Sequence, residues 1–437
     1  MRIALLTAGA GGMYCGQCLQ GNTLAAALAR LGADALLVPA HTPIRTDEEN
    51  VSLDRVVFGG LNVYLQEKSA LFRRTPWFLD RVFDQPWLLQ WLGRKSASTS
   101  PEQLGALTVS VLRGEEGRQR KELEKLIRWL GDELKPDVVH LSTVLLAGMA
   151  RQIKRRLGVP VVATLAGEDL FVQQLAEPYA TESRQVLRQR AADLAGLIAL
   201  NRYYADFMAE YLGVPRERIE VIPPGLNLEG HAPRLPPDSP PVRFPATGRT
   251  IGYLARVCPE KGLHLLVEAL EVLLEDPAMA PVEVVAAGYL AERDRSYLEG
   301  IAEWLAERGL VDRVRYLGPV DRAQKIAFLQ SVDVMCLPTV YPESKGLPVL
   351  EAWANRVPVV VPAHGTFPEL IGDTRGGQLF APHDVCSLAG ALRQLLANPA
   401  AAAEMGRCGQ EAVHDRYHAE AMARRTLAYY RRVLGRA

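Results

Sequence analysis

An arginine and a lysine stand five residues apart in Arg256-Val257-Cys258-Pro259-Glu260-Lys261-Gly262, between an apolar run and a helical stretch rich in leucine and valine. Two cations at the carboxyl end of a strand, beside a helix N-terminus, can neutralise an anion such as a diphosphate. Either residue taken alone would read as an ordinary surface cation. Two carboxylates, Glu343 and Glu351, lie eight residues apart on either side of Gly346. Around such a glycine turn the backbone amides can face an anion while the carboxylates accept hydrogen bonds from ligand hydroxyls. The pattern predicts Glu343 in a loop and Glu351 near the start of a helix running to Asn355. The plainer alternative is a solvated Glu343 and a Glu351 that only favours the helix dipole.

Three further features are less specific. Gly9-Ala10-Gly11-Gly12 follows the first apolar run and opens a helix from about Cys18 to Leu31. Such a loop lets backbone amides approach an anion. It lacks the G-x-G-x-x-G and P-loop spacings, and a tight strand-to-helix turn explains it equally well. Cys15-Gly16-Gln17-Cys18 has the spacing of a thiol redox pair, but no second cysteine pair completes a zinc site. Small residues lining a loop are the plainer reading. His364, in His364-Gly365-Thr366-Phe367-Pro368-Glu369, follows another apolar run; a lone loop histidine is more often structural than functional.

These residues need a scaffold. A chain of 437 residues exceeds one ordinary core and argues for two domains. Hydrophobic residues at 48% and charged residues at 23% are the composition of a globular protein. Basic and acidic residues balance at 50 each, which leaves no long-range field for nucleic acid. No apolar run reaches the roughly 20 residues of a membrane span, and Met1–Thr7 reads as a strand rather than a signal peptide, so the expected location is the cytoplasm. The six cysteines are scattered and form no disulfide framework.

Short apolar runs alternate with helical stretches. Arg2–Thr7, Asp34–Val38, Asp137–Leu141, Pro160–Thr164 and Gly196–Leu200 read as buried strands. Leu123, Leu126, Ile127, Leu130 and Leu134 recur at helical period. The alternation restarts after the prolines with Thr250–Ala255, Val282–Ala287, Val314–Leu317, Val332–Leu337 and Val357–Val361. The expected fold class is α/β, with two doubly wound Rossmann-like domains whose ligands bind beyond the strands' carboxyl ends, in the cleft between them. The boundaries are an N-terminal domain over 1–235, a proline-rich linker over 236–248, a C-terminal domain over 249–415 and a C-terminal helix over 416–437. A helical insertion over about 66–115 breaks the first alternation. Within it, 71–92 carries Trp77, Trp87 and Trp91 with flanking Arg and Lys. It reads either as a core-packed hairpin or as a lid or peripheral contact at the inner membrane face.

At this level of detail the chain resembles the family-4 retaining glycosyltransferases, which have the GT-B fold, over nearly its whole length and most strongly from about Ile219 onward. Arg256 and Lys261-Gly262 match the family's diphosphate-binding cations, and Glu343 with Glu351 matches its pair of glutamates. The resemblance implies that Glu343 contacts the transferred sugar and that Glu351 holds the nucleotide ribose. It implies that the Gly346-Leu347 amides meet sugar and phosphate. Lys345 departs from the family, which usually has phenylalanine there, and adds a cation beside those amides. Gly318-Pro319-Val320 resembles the segment bordering the base, Gly11-Gly12 the N-terminal glycine loop, and Ile222-Pro223-Pro224-Gly225 the approach to the linker. The helix from about Ala419 to Leu434 resembles the one that packs back toward the first domain.

Thr164-Leu165-Ala166-Gly167-Glu168-Asp169 stands where many members have threonine-x-histidine-glycine-x-aspartate. The histidine is Ala166, and Glu168 is an added carboxylate. Asp169, Glu168 and His364 are the acceptor-side candidates. The expected activity is metal-independent transfer of a sugar, with retention, from a nucleotide-diphosphate sugar to a hydroxyl of a carbohydrate or lipid-linked acceptor. No cofactor is implied beyond that donor. The alternatives are a non-catalytic nucleotide-sugar binder, which the missing histidine suggests, or another GT-B enzyme such as an epimerase or phosphorylase.

Overall fold

Runs of Val, Leu, Ile and Ala too short for helices become strands when both faces are covered, and twelve such strands build two sheets among the described residues. The computed structural model describes residues 1–9, 16–54, 56–58, 101–232 and 249–436. Gly11, Gly12, Cys15, the segment 71–92 and the linker 236–248 lie outside them.

The first sheet contains β1 (Arg2–Thr7), β2 (Asp34–Pro39), β3 (Val138–Leu141), β4 (Val161–Leu165), β5 (Gly196–Ala199) and β6 (Ile219–Val221). All pairings are parallel, in the order β2-β1-β3-β4-β5-β6. The second contains β7 (Arg249–Leu254), β8 (Val282–Ala287), β9 (Val314–Tyr316), β10 (Val334–Cys336), β11 (Val359–Pro362) and β12 (Gly377–Phe380). It too is parallel, in the order β12-β11-β10-β7-β8-β9. Each sheet reverses its winding once, between β1 and β3 and between β7 and β10. In open α/β sheets those reversals create the crevices that receive ligands.

The chain divides into a unit of Met1–Gly225 plus Ala419–Ala437 and a unit of Leu226–His418. The expected α/β class with two Rossmann-like domains is the observed one. Ten strands occur where the apolar runs predict them, with ends displaced by at most two residues. The sequence reading omits β6 and β12. Both are sheet edges, and their sequences Ile-Glu-Val and Gly-Gln-Leu-Phe are only partly buried. An edge strand covered on fewer sides lacks the apolar run that marks a central one.

In the first unit Leu123, Leu126 and Ile127 lie on the helix Arg120–Trp129, which widens into a π turn over Leu130–Leu134; all five expected core positions are buried. The helix Ala419–Val433 buries Met422, Ala423, Tyr429 and Tyr430 among Ile3, Leu5, Leu28 and Ile198. Cys18 is buried on the helix Gly16–Arg30, in the same apolar cluster. In the second unit the helix Leu347–Ala354 is anchored by Trp353, which is fully buried and donates from Nε1 to the Gly376 carbonyl at 2.8 Å. Burying an indole contributes roughly 4–6 kcal/mol, so the helix that begins at the site is held by its far end.

Two histidines in the first unit have lowered pKa values, His140 buried and His41 half-buried. His140 on β3 bonds through Nδ1 to the Tyr430 hydroxyl and through Nε2 to the Thr164 hydroxyl. Burial lowers its pKa from 6.5 to about 4. Burial likewise lowers that of His41 to about 4, against an opposing hydrogen bond to the Phe58 carbonyl. Between those pKa values and 6.5 the unfolded chain binds protons that the native chain does not. Stability is therefore fully present above 6.5 and falls as pH drops toward 4. Urea unfolding at about pH 7 and about pH 5 should differ by about 2 kcal/mol per histidine, with the acid value lower. His140→Gln should remove about half of that pH dependence; an unchanged slope would show that His140 is not held neutral.

Candidate active site

The strand β7 ends at Leu254, and the chain turns through an exposed Arg256 whose carbonyl accepts from the Tyr253 hydroxyl at 3.0 Å. One 3-10 turn, Pro259–Lys261, leads to Gly262 and the helix Leu263–Leu274. Gly262 has φ +74°, and an added Cβ would come within 1.9 Å of the Pro338 carbonyl oxygen, so the turn admits only glycine without rearrangement. The second loop leaves β10 and reaches Gly346, the N-cap of the helix Leu347–Ala354. The Val340 amide donates to the Glu260 carbonyl at 2.9 Å and ties the two loops together. The third loop follows β11 and carries His364 and Thr366. Thr366 donates its amide to the Glu343 carbonyl at 2.8 Å.

Lys261 and Glu343 meet where these loops converge. Nζ of Lys261 stands 2.6 Å from Glu343 Oε2 and 2.6 Å from the Tyr341 hydroxyl, which itself lies 3.1 Å from Oε2. The other carboxylate oxygen accepts from the Ser344 and Lys345 amides, each at 3.2 Å. Glu343 is only 5% exposed, which removes the solvated alternative. Burial alone would raise its pKa, but Lys261, Lys345 and the Lys345 amide outweigh it and lower the value to about 2. Burial would likewise lower the Lys261 pKa, and the Glu343 charge reverses this and holds it above its ordinary value. Both groups are thus ionised near neutral pH. Burial and the Glu343 charge push Tyr341 up to about 12, so it stays a neutral phenol.

Arg256 makes no ion pair among the described residues, and its exposed guanidinium is open to a ligand. Lys345 is half-buried. The helix Leu347–Ala354 starts at Gly346-Leu347 with no side-chain cap on its first amides. Val320 precedes the helix Arg322–Ser331 and is partly buried against the core of the second unit. Glu351 differs from its expected place: it lies past the first turn of Leu347–Ala354, because that helix already begins directly after Gly346 at φ +68°. There it is nearly sealed, and its Oε1 is 2.5 Å from Nζ of Lys325. The sequence reading missed Lys325 and Tyr341. Neither has a motif, and Lys325 is 26 residues from its partner.

His364 belongs to the second unit, beside Glu343. Its Nε2 lies 3.0 Å from the Thr339 carbonyl, so that nitrogen carries the proton. Burial lowers its pKa, which keeps the ring neutral. Its Nδ1 and the hydroxyls of Thr339 and Thr366 are buried without partners among the described residues.

The acceptor-side carboxylates lie in the first unit, on the turn between β4 and the short helix Glu168–Gln173. Glu168 Oε1 accepts from the Thr143 hydroxyl at 2.7 Å and the Val144 amide at 3.3 Å, and Oε2 from the Ala166 amide at 2.7 Å. Both its oxygens are engaged in bracing the loop. Asp169 accepts the Tyr204 hydroxyl at 2.6 Å, and that hydroxyl in turn accepts from the Gly167 amide at 2.8 Å. Among the described residues, no group of three or more His, Cys, Asp or Glu is arranged to hold a metal ion, and no helix is long and apolar enough to cross a membrane.

Gly365 sets the separation of the second and third loops. Its φ is +62°, and a Cβ there would lie 2.4 Å from the Glu343 amide nitrogen. Gly365→Ala should therefore lower stability by about 1–3 kcal/mol in urea unfolding. A variant as stable as the parent would show that the Glu343 loop yields without cost.

Comparison with known proteins accords with this geometry. The family model for glycosyl transferases group 1 matches residues 237–412, and that for glycosyltransferase family 4 matches 100–229. A phosphatidyl-myo-inositol mannosyltransferase of Mycobacterium leprae is 31% identical over 70% of this chain and 76% of its own length. A 2-deoxystreptamine glucosyltransferase of Streptomyces kanamyceticus is 29% identical over 71% and 79%. Among solved structures, a sucrose-phosphate synthase from Thermosynechococcus elongatus superposes with TM-score 0.70 at 18% identity, covering 100% of both chains. Anabaena Alr3699/HepE in complex with UDP superposes with TM-score 0.67 at 16% identity, covering 98% and 99%. The chain belongs to the family-4 glycosyltransferases, with the GT-B fold of two Rossmann-like domains.

Proposed function

We propose that this glycosyltransferase moves a sugar, with retention and without a metal ion, from a nucleoside-diphosphate sugar to a hydroxyl of a carbohydrate or lipid-linked acceptor. The observation that carries this reading is the ionised Lys261–Glu343 pair on the loops that also carry Arg256, which makes no ion pair among the described residues, at the winding reversal between β7 and β10. Expelling a nucleoside diphosphate builds negative charge on its phosphate oxygens. Fixed cations and amides that meet this charge lower the barrier. Arg256 and Lys261 fill that role, with Lys345 and the Gly346-Leu347 amides at the neighbouring helix start. Glu343, already charged, accepts hydroxyls of the transferred sugar, while Glu351 accepts those of the ribose and Val320 borders the base.

In this mechanism the bond from the anomeric carbon to the phosphate oxygen breaks as the acceptor hydroxyl bonds to the same face of that carbon. The hydroxyl proton passes to the departing phosphate, so no enzyme nucleophile is needed. Asp169, oriented by Tyr204, is the acceptor-side carboxylate, and Glu168 holds its loop in shape. A hydroxyl-rich acceptor agrees with relatives named for inositol-lipid and aminocyclitol acceptors.

A thermal-shift screen of UDP-, GDP- and ADP-sugars should raise the melting temperature with one base, because a ligand bound only to the native state stabilises it. With that donor, Lys261→Ala should cut turnover at least about a hundredfold while circular dichroism remains that of the parent. Near-normal transfer would overturn the leaving-group role. Activity unchanged by EDTA and a product of unchanged anomeric configuration complete the reading; inversion or loss of activity would refute the corresponding clause.

A further inference from the structure

The second buried ion pair of the site has no counterpart in any motif. Lys325 is 8% exposed and sits on the helix Arg322–Ser331. That helix is fixed at its start by a capping box. The Gln324 amide donates to Asp321 at 2.9 Å, and the Asp321 amide donates back to the Gln324 side chain at 3.0 Å. Arg322 ties the same turn to the carbonyls of Asn227 at 2.9 Å and Glu229 at 2.7 Å. Lys325 therefore presents its ammonium from a rigid base. Its Nζ takes one oxygen of Glu351, while no donor among the described residues takes the other. The Glu351 side chain keeps 9% of its surface exposed.

A carboxylate this deeply buried keeps one direction only if a donor fixes it, and Lys325 fixes one of its oxygens. With one oxygen occupied, it can present the other as an acceptor in a fixed direction. We infer that Lys325 is a positioning residue: it holds Glu351 oriented so that the remaining oxygen accepts the ribose diol, and so makes the site select ribonucleotides. The inference rests on the ribose role proposed for Glu351 above. Lys325 would act through Glu351, which it contacts.

The test is calorimetric binding of a nucleoside diphosphate and its 2′,3′-dideoxy counterpart, using whichever of UDP, GDP and ADP the parent binds best. A hydrogen bond to a charged group predicts that the parent prefers the ribonucleotide by about 10- to 100-fold. In Lys325→Met that preference should shrink to below about threefold, with dideoxynucleotide affinity changed by less than about threefold. Lys325→Gln, which retains a donor without the charge, should be intermediate, and it carries the comparison if the methionine variant does not fold. In the parent, the 15N resonance of the Lys325 ammonium should shift with the ribonucleotide and not with the dideoxynucleotide. A parent that binds both nucleotides equally would remove the ribose role of Glu351 itself. A parent that discriminates, with a Lys325 variant that discriminates as strongly or loses both affinities alike, would reduce Lys325 to a packing partner and overturn the inference.

Discussion

Nζ of Lys261 and Oε2 of Glu343 are 2.6 Å apart at the carboxyl ends of adjacent strands, and the loops of the site are arranged around that contact. Either charge left alone in so buried a place would be driven toward its neutral form. Together they stay ionised, and each is reinforced locally, Lys261 by Tyr341 and Glu343 by two backbone amides. The loop after β11 joins through the Glu343 carbonyl. A single pair thereby fixes three loops that approach from three strands. It also stores the two opposite charges that a departing diphosphate and a polyhydroxylated sugar would draw upon.

The other charged groups divide by what their neighbours leave open. Glu168 has both oxygens engaged by the loop around it, so its chemistry is consumed by structure. Asp169 is directed by one phenol, and Glu351 by one ammonium. Arg256 is exposed and makes no ion pair among the described residues. The gradient from saturated to open follows from placement. A carboxylate inside a βα turn meets many amides, whereas a cation on the outer lip of a loop meets few. Saturation of Glu168 also bears on Ala166, whose amide is one of the donors it holds. The added carboxylate braces the backbone of the turn.

Most of this architecture is readable from order and spacing along the chain. Parallel strands buried on both faces must be apolar throughout, so the central ones announce themselves, and the edges β2 and β9 keep enough apolar residues to be read as well. The edge strands β6 and β12 do not, because partial exposure lets Glu220 and Gln378 into them. The residues Arg256, Lys261, Glu343 and Glu351 are legible because a strand, a tight turn and a helix compress functional groups into short, characteristic intervals. Glu351 was assigned to a first turn since spacing alone does not reveal where Gly346 lets the helix begin.

Partnership is the part that local pattern does not carry. Lys261 lies 82 residues from Glu343, Lys325 lies 26 from Glu351, and Tyr204 lies 35 from Asp169. Residue types and intervals established the α/β class, the two domains and the identity of the groups that could meet a nucleotide sugar. Which of those groups are paired, buried or open was decided only when parallel strands brought distant loops to one edge. Ionisation and hydrogen bonding depend on distances in space, and the winding reversal between β7 and β10 sets those distances.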